Sequence, residues 1–97
     1  MGMNVKEIER FAVVARKNHT CLTIASLMHV RFPHKYKKII DAHYSAMEIF
    51  DEYEKLGNVP GRLTFWFMKS NISSLAEAIT EMQEVMPSYE KSCNASC

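Results

Sequence analysis

Glycine, proline and cysteine are scarce in this chain of 97 residues, with three of each. So few glycines and prolines leave little material for turns, which disfavours a sandwich of short strands and favours helices. No apolar run approaches the roughly 20 residues that a transmembrane helix needs, so no membrane partner is expected. The odd cysteine count and the lack of a secretory hydrophobic segment at the N-terminus favour a reducing compartment. The sequence therefore predicts a cytoplasmic protein.

Motifs for catalysis are also missing. Gly57 and Gly61 flank a turn and do not form a glycine-rich loop for phosphate. Cys21 lies in the most apolar segment, where a thiol stays protonated and unreactive. The carboxylates between residues 48 and 54 are expected on an exposed helix face and do not form a catalytic pair. The sequence therefore predicts a protein that is not an enzyme and that holds no cofactor.

Side chains that ligate metals are present, but their spacing is unfavourable. Structural zinc sites use close Cys-x-x-Cys pairs, whereas Cys93 and Cys97 are separated by three residues. Those two thiols would also need two further ligands from the folded domain. We expect no metal site, and we expect His43, on the apolar side of its helix, to be a hydrogen-bonded core histidine. The other side chains considered as ligands are His19, Cys21, His29 and His34.

The most informative stretch lies between Pro33 and Gly57. Its apolar and ring side chains recur at intervals of three and four, which places them on one face of a helix. Pro33 suits the first turn of a helix, and Gly57 suits the residue after its end. Residues 34–56 are therefore predicted to form one helix of about 34 Å, at about 1.5 Å per residue. Its apolar face consists of Tyr36, Ile39, Ile40, His43, Ala46, Met47, Phe50 and Tyr53.

The N-terminal third carries two further helical patterns. Asn4 and Glu7 form a capping box, which predicts a helix over residues 4–17. Residues 18–20 are polar and are predicted to interrupt the helix. A second helix is predicted over residues 21–31, with Thr20 as its cap. It ends before Phe32 and Pro33, because the residue before a proline is pushed out of the helical region.

Two segments remain after the long helix. Residues 62–70 fit a short buried strand or a short buried helix equally well. No second strand is available as a partner, so the helix is favoured. Ser74 and Glu77 form another capping box, which predicts a helix over residues 75–86.

Together these elements predict an all-α fold. It is a small bundle of four to five helices around one long central helix at residues 34–56, since short connections make neighbouring helices antiparallel or steeply angled. Residues 3–87 are predicted to form a single domain. Residues 88–97 are short and polar and are predicted to be a flexible tail.

Charge is distributed unevenly along the chain. Residues 1–38 hold eight Lys and Arg against two Glu, a net charge of +6, and residues 39–97 hold four against nine, a net charge of −5. The asymmetry fits a basic surface for nucleic acid or for an acidic partner, and it fits equally two halves of one fold that attract each other.

A helix-turn-helix-like segment at residues 20–40 is the basis of one functional hypothesis, a DNA-binding transcriptional regulator with duplex DNA as its partner. His29 stands where glycine is common, and Pro33 lies inside the turn, so the match is incomplete. The same cations can instead contact phosphates without reading bases. The candidate residues for nucleic acid or an acidic partner are Arg31, His34, Lys35, Lys37 and Lys38.

Protein binding is the leading hypothesis. The long amphipathic helix, seven methionines and an aromatic segment near residue 66 suggest a small regulator, inhibitor or adaptor that docks on another protein. A homodimer is expected, because the long helix extends further than a thin core requires. The candidate interface residues are Tyr44, Phe65, Trp66 and Met68.

Overall fold

Four α-helices and one short 3₁₀ turn form the described part of the chain. The computed structural model describes residues 4–96, with the side chains of residues 4–94. No strand occurs among these residues, which confirms the all-α class and places residues 62–70 in a helix. None of the described helices is long and apolar enough to cross a membrane. The elements are α1 (Val5–Leu27), the 3₁₀ turn (His34–Tyr36), α2 (Lys37–Leu56), α3 (Arg62–Val85) and α4 (Pro87–Ser96).

The first three helices run up, down and up, and α4 closes one end. Arg16 of α1 pairs with Glu54 of α2 at 2.6 Å, and the later His19 of α1 contacts the earlier His43 of α2, so the two helices are antiparallel. α3 runs parallel to α1, because Asn18 contacts Ile72 while the ring of Phe11 meets an earlier residue of α3. α1 and α3 each pack against all the other helices.

α1 is continuous, so the predicted break at residues 18–20 is wrong. The polar side chains there are satisfied in ways that leave the helix intact. The Thr20 hydroxyl donates to the carbonyl of Arg16 at 3.1 Å, one turn back, and the Asn18 amide donates to the carbonyl of Ile72 at 3.1 Å. With neither glycine nor proline at this point, nothing interrupts the helical hydrogen bonds.

The actual end of α1 is a left-handed turn at His29. The φ angle of His29 is 56°, and Val30 N–H donates to the carbonyl of Ala25 at 2.8 Å. The N–H of His29 also donates to the carbonyl of Ser26. These two hydrogen bonds together form the Schellman motif, which ends many helices. Val30 then turns inward and is buried, which directs the chain into the connection before α2.

α2 follows the sequence prediction closely. The predicted helix over residues 34–56 has a 3₁₀ first turn and is α-helical from Lys37 onwards. Gly57 has a φ angle of 74°, the left-handed conformation that favours glycine, and its N–H donates to the carbonyl of Tyr53 at 2.9 Å.

α3 is a single helix of 24 residues, so Ser74 and Glu77 do not open a new helix as predicted. Gly61 instead precedes the first turn, and Phe65 N–H donates to its carbonyl at 2.9 Å. The continuous helix places one apolar stripe along the whole bundle, which outweighs a local capping signal. The buried residues of α3 are Phe65, Met68, Ile72, Leu75, Ala78 and Ile79.

α4 occupies residues that were predicted to be a flexible tail. Tyr89 and Cys93, four residues apart and therefore on one face, are buried. The Tyr89 hydroxyl donates to the carbonyl of Cys21 at 2.9 Å, and a disulfide joins Cys21 to Cys93. Cys97 lies outside the described residues. The prediction failed because a polar segment with two buried anchors resembles a frayed end in sequence.

The core has two apolar clusters, one toward each end of the bundle. The first holds Ile8, Ala12, Ala15, Ala46, Phe50, Phe65, Met68 and Ile72. The second holds Cys21, Leu22, Ala25, Val30, Leu75, Ile79, Tyr89 and Cys93. Asn18 and His43, both buried, lie between these clusters along their helices. The bundle therefore has a polar layer at its middle.

Two neighbouring aromatic residues provide a test of this packing. Phe65 is fully buried and meets the ring of Phe11 edge to face, whereas Trp66 points outward. Phe65→Ala should lower the free energy of unfolding by about 3–5 kcal/mol, because it removes core contacts and leaves a cavity. Trp66→Ala should change it by less than about 0.5 kcal/mol. Urea unfolding followed by circular dichroism measures both, and equal losses would contradict the assigned helix face.

Candidate functional site

The outer face of α3 carries the most exposed aromatic group of the molecule. Leu63, Trp66 and Phe67 are 69%, 59% and 53% exposed. Their spacing of three and four residues places them side by side on the helix, opposite the buried Phe65 and Met68. The rings of Trp66 and Phe67 meet edge to face with centroids 4.9 Å apart. We call Leu63, Trp66 and Phe67 the α3 patch.

Only part of the predicted interface lies on this surface. Trp66 is exposed as the interface hypothesis requires, but Phe65 and Met68 are buried in the core and leave the candidate site. Tyr44 is half exposed, yet its ring packs against His19 in the groove between α1 and α2. Tyr44 therefore lies on a different surface from Trp66.

Leu63 and Phe67 were missing from the predicted interface. The signal that could have found them is helical periodicity, since a helix that buries Phe65 and Met68 must expose residues 63, 66 and 67. That signal was usable only after residues 62–70 were assigned to a helix. Leu56 and Val59, just before α3, are exposed apolar side chains as well.

The outer face of α3 changes character along its length. It begins at the exposed cation Arg62, continues through the α3 patch, and becomes polar and small beyond it. Ser70 and Ser73 are exposed, and Ser74 is half-buried. Farther along are the exposed carboxylates of Glu77 and Glu81. The face thus presents large apolar side chains at its start, serines in the middle and negative charge at its end.

The basic run lies at the connection between α1 and α2. Lys37 pairs with Asp41 at 2.9 Å, so one cation of the basic run already has an ion-pair partner. The hydroxyl of Tyr36 donates to the carboxylate of Glu81, which holds the 3₁₀ turn against α3. A shallow groove of about 340 Å³ borders Pro33 and Ile40 here. The predicted nucleic-acid residues Arg31, His34, Lys35, Lys37 and Lys38 are all exposed.

The packing of α1 on α2 differs from a helix-turn-helix. In that motif the two helices cross steeply, so that the second enters the major groove. Here α2 lies antiparallel along α1, and the contacts extend from His19 and His43 to Arg16 and Glu54. Of the proposed first helix, residues 21–31, residues 21–27 are the end of α1 and residues 28–31 lie in the connection after it. The structure therefore corrects the helix-turn-helix assignment of residues 20–40.

A histidine pair occupies the polar layer. The Nδ1 atom of His19 and the Nε2 atom of His43 are 3.1 Å apart, and the two rings are stacked. His43 is 2% exposed, and its Nδ1 atom has no hydrogen-bond partner among the described residues. His43 was predicted to be a hydrogen-bonded core histidine, and this contact provides its hydrogen bond.

Burial and charge both favour the neutral form of His43. Burial, and after it the nearby His19, lower the pKa of His43 to about 4, the second because two positive rings would repel. Among the described residues no group of three or more His, Cys, Asp or Glu side chains is placed to hold a metal ion. His43 is thus a neutral, hydrogen-bonded histidine of the interior.

Comparison of the chain with family models, curated proteins and solved structures finds no match.

The histidine pair predicts how stability depends on pH. The folded-state pKa of His43, about 4, lies below its usual 6.5, so between these values the unfolded chain binds more protons. Stability is fully present above about pH 6.5 and should fall as the pH drops toward 4, by at most about 3 kcal/mol from this residue. Urea unfolding at a series of pH values measures this loss.

A matched pair of variants isolates the contribution of His43. His43→Gln should flatten the pH dependence between about pH 4 and 6.5, because the side chain no longer titrates. His34→Gln, at an exposed histidine, should leave the dependence as in the wild type. A pH profile that His43→Gln leaves unchanged would show that other groups cause the acid sensitivity.

Proposed function

We propose that this protein is a non-enzymatic binding domain that recognises another protein through the α3 patch. In this role it acts as a small regulator, inhibitor or adaptor. The observation that carries the proposal is the exposure of Leu63, Trp66 and Phe67, each more than half exposed and adjacent on one helix. A contiguous exposed apolar group on a folded domain is typical of an interaction surface.

The energetics support a binding role for this face. Fully burying a side chain of this size contributes about 1.5–3 kcal/mol, and aromatic residues dominate the binding energy of many interfaces. Trp66 and Phe67 already contact each other on a rigid helix. Little side-chain entropy is therefore lost when a partner covers them.

The proposal includes no reaction and no cofactor. The group with unusual electrostatics is His43, which is buried between the two apolar clusters, and its partner His19 is half-buried. A cytoplasmic location stays a prediction, and the disulfide between Cys21 and Cys93 argues against it. Disulfides persist mainly in oxidising compartments.

Capture of binding partners tests the proposal. The double variant Trp66→Ala/Phe67→Ala should fold like the wild type, because both side chains are exposed. Immobilised wild-type protein should retain partner chains, or further copies of itself, that the double variant does not retain. Val13→Ala, which truncates an exposed apolar residue of α1, is the matched control. Equal retention by all three proteins would contradict the proposal.

Binding of duplex DNA is the second candidate function. One observation favours it: five cationic or histidine side chains within residues 31–38 are exposed at one end of the bundle. Because α1 and α2 are antiparallel and do not form a helix-turn-helix, α2 is not presented to the major groove. The proposed contacts are therefore with phosphates, which carry no base sequence. The partner Asp41 reduces the net charge of this run, which weakens the case relative to protein binding.

A gel-shift titration tests the DNA alternative. Binding should appear at about 50 mM salt and weaken steeply toward about 200 mM, because phosphate contacts release counterions. Lys35→Glu/Lys38→Glu should abolish it, while Lys55→Glu, at an exposed lysine at the end of α2, should have little effect. If wild-type protein leaves the duplex unshifted at the lower salt concentration, this function is excluded.

A further inference from the structure

We infer that the partner of the α3 patch is a second copy of this chain, with the two α3 helices antiparallel about a two-fold axis beside Ser70. This inference rests on the proposed function and names its partner. Three features of the outer face of α3 favour this pairing: the order of large and small side chains, the order of charges, and the lack of competing ion pairs among the described residues.

The first feature is the position of the aromatic residues relative to the serines. An α-helix turns by about 100° and rises by about 1.5 Å per residue. In an antiparallel pair whose two-fold axis passes beside Ser70, residues that face each other therefore have residue numbers that add up to about 140. Trp66 of one copy then faces Ser73 of the other, and Phe67 faces Ser74. Both aromatic side chains thus meet a serine, while Leu63 lies beside Glu77.

This size pattern favours close packing of the two helices. Side chains of one helix pack into the grooves between the side chains of the other, at interaxial distances of about 8–10 Å. The exposed Ser70 at the axis allows this approach, because two copies of a small side chain meet there. A parallel pair would instead place Trp66 against Trp66 and serine against serine, which leaves gaps beside the serines.

The second feature is charge. In the antiparallel register Arg62 of one copy faces Glu77 of the other, and the symmetry repeats this contact at the opposite end. Both side chains are exposed. A parallel pair would bring Arg62 near its own copy and Glu77 near its own copy, which is repulsive. The charge order therefore selects the same orientation as the size order.

The third feature is that these charges have no competing contacts. Neither Arg62 nor Glu77 forms an ion pair with another described residue. The facing segment from Arg62 to Glu77 is about 24 Å long, at about 1.5 Å per residue. Along it the exposed residues Arg62, Trp66, Ser70, Ser73 and Glu77 recur at intervals of three and four, on the face opposite the buried residues of α3.

The chain contains one tryptophan, Trp66, which gives the test a direct signal. In the wild type, sedimentation velocity should show a monomer that becomes a dimer as protein concentration rises. The fluorescence of Trp66 should shift to shorter wavelength over the same concentrations, because the indole leaves water. A protein that stays monomeric at every concentration, with unshifted emission, would overturn the inference.

Charge reversal tests the antiparallel register. Arg62→Glu and Glu77→Arg should each weaken dimerisation by about tenfold, because each creates two like-charge contacts in the symmetric dimer. The double variant Arg62→Glu/Glu77→Arg should recover wild-type dimerisation, and so should an equimolar mixture of the two single variants. Glu48→Arg, at an exposed carboxylate of α2, is the control and should leave dimerisation unchanged.

The outcomes separate this inference from the proposed function. A dimer that responds to neither single variant, or a double variant that stays weak, would overturn the antiparallel register. If the wild type is monomeric but retains another protein that Trp66→Ala/Phe67→Ala fails to retain, the second copy is excluded while the binding role stands. If the protein is monomeric and retains nothing through the patch, both proposals fail.

Discussion

The parallel contact between α1 and α3 is the constraint on which the rest of the bundle depends. Phe11 meets Phe65 with ring centroids 6.0 Å apart, and farther along Asn18 donates to the Ile72 carbonyl at 3.1 Å. Apolar contacts tolerate sliding, whereas a buried amide loses its hydrogen bond if the register shifts. Two parallel helices also require a long return, and α2 provides it. The hydrogen bond of Asn18 therefore fixes the register of α1 against α3.

The orientation of α3 follows from this contact and decides what the molecule presents to solvent. With Phe65 and Met68 turned into the first cluster, Trp66 has no route to the core. Its exposure is thus a geometric result of burying its neighbours on a helix. The same rotation carries Leu63 and Phe67 outward, and it is this fixed group that supports a binding role.

Covalent and polar contacts attach the C-terminal helix to the bundle. Cys93 is bonded to Cys21 of α1, and the Tyr89 hydroxyl donates to the carbonyl of Cys21. α4 has little other amphipathic character, so these anchors account for its place against α1 and α3. The histidine pair lies in the middle layer, next to the apolar cluster that contains Tyr89 and Cys93. A neutral His43 is compatible with the low polarity of its surroundings. The interior thus combines two apolar clusters with a middle layer that depends on protonation state.

Local sequence patterns determined the all-α class and the long helix at residues 34–56, because amphipathic spacing and the glycine after its end act within a few residues. They also located Trp66 as a candidate contact. Tertiary packing contributes to the continuity of α1 at residues 18–20, since Asn18 finds its partner 54 residues away. It alone decided that Ser74 lies inside α3, that Tyr89 and Cys93 hold a fourth helix, and which of Phe65 and Trp66 faces water. These features depend on contacts between residues distant in the chain, which no local pattern contains.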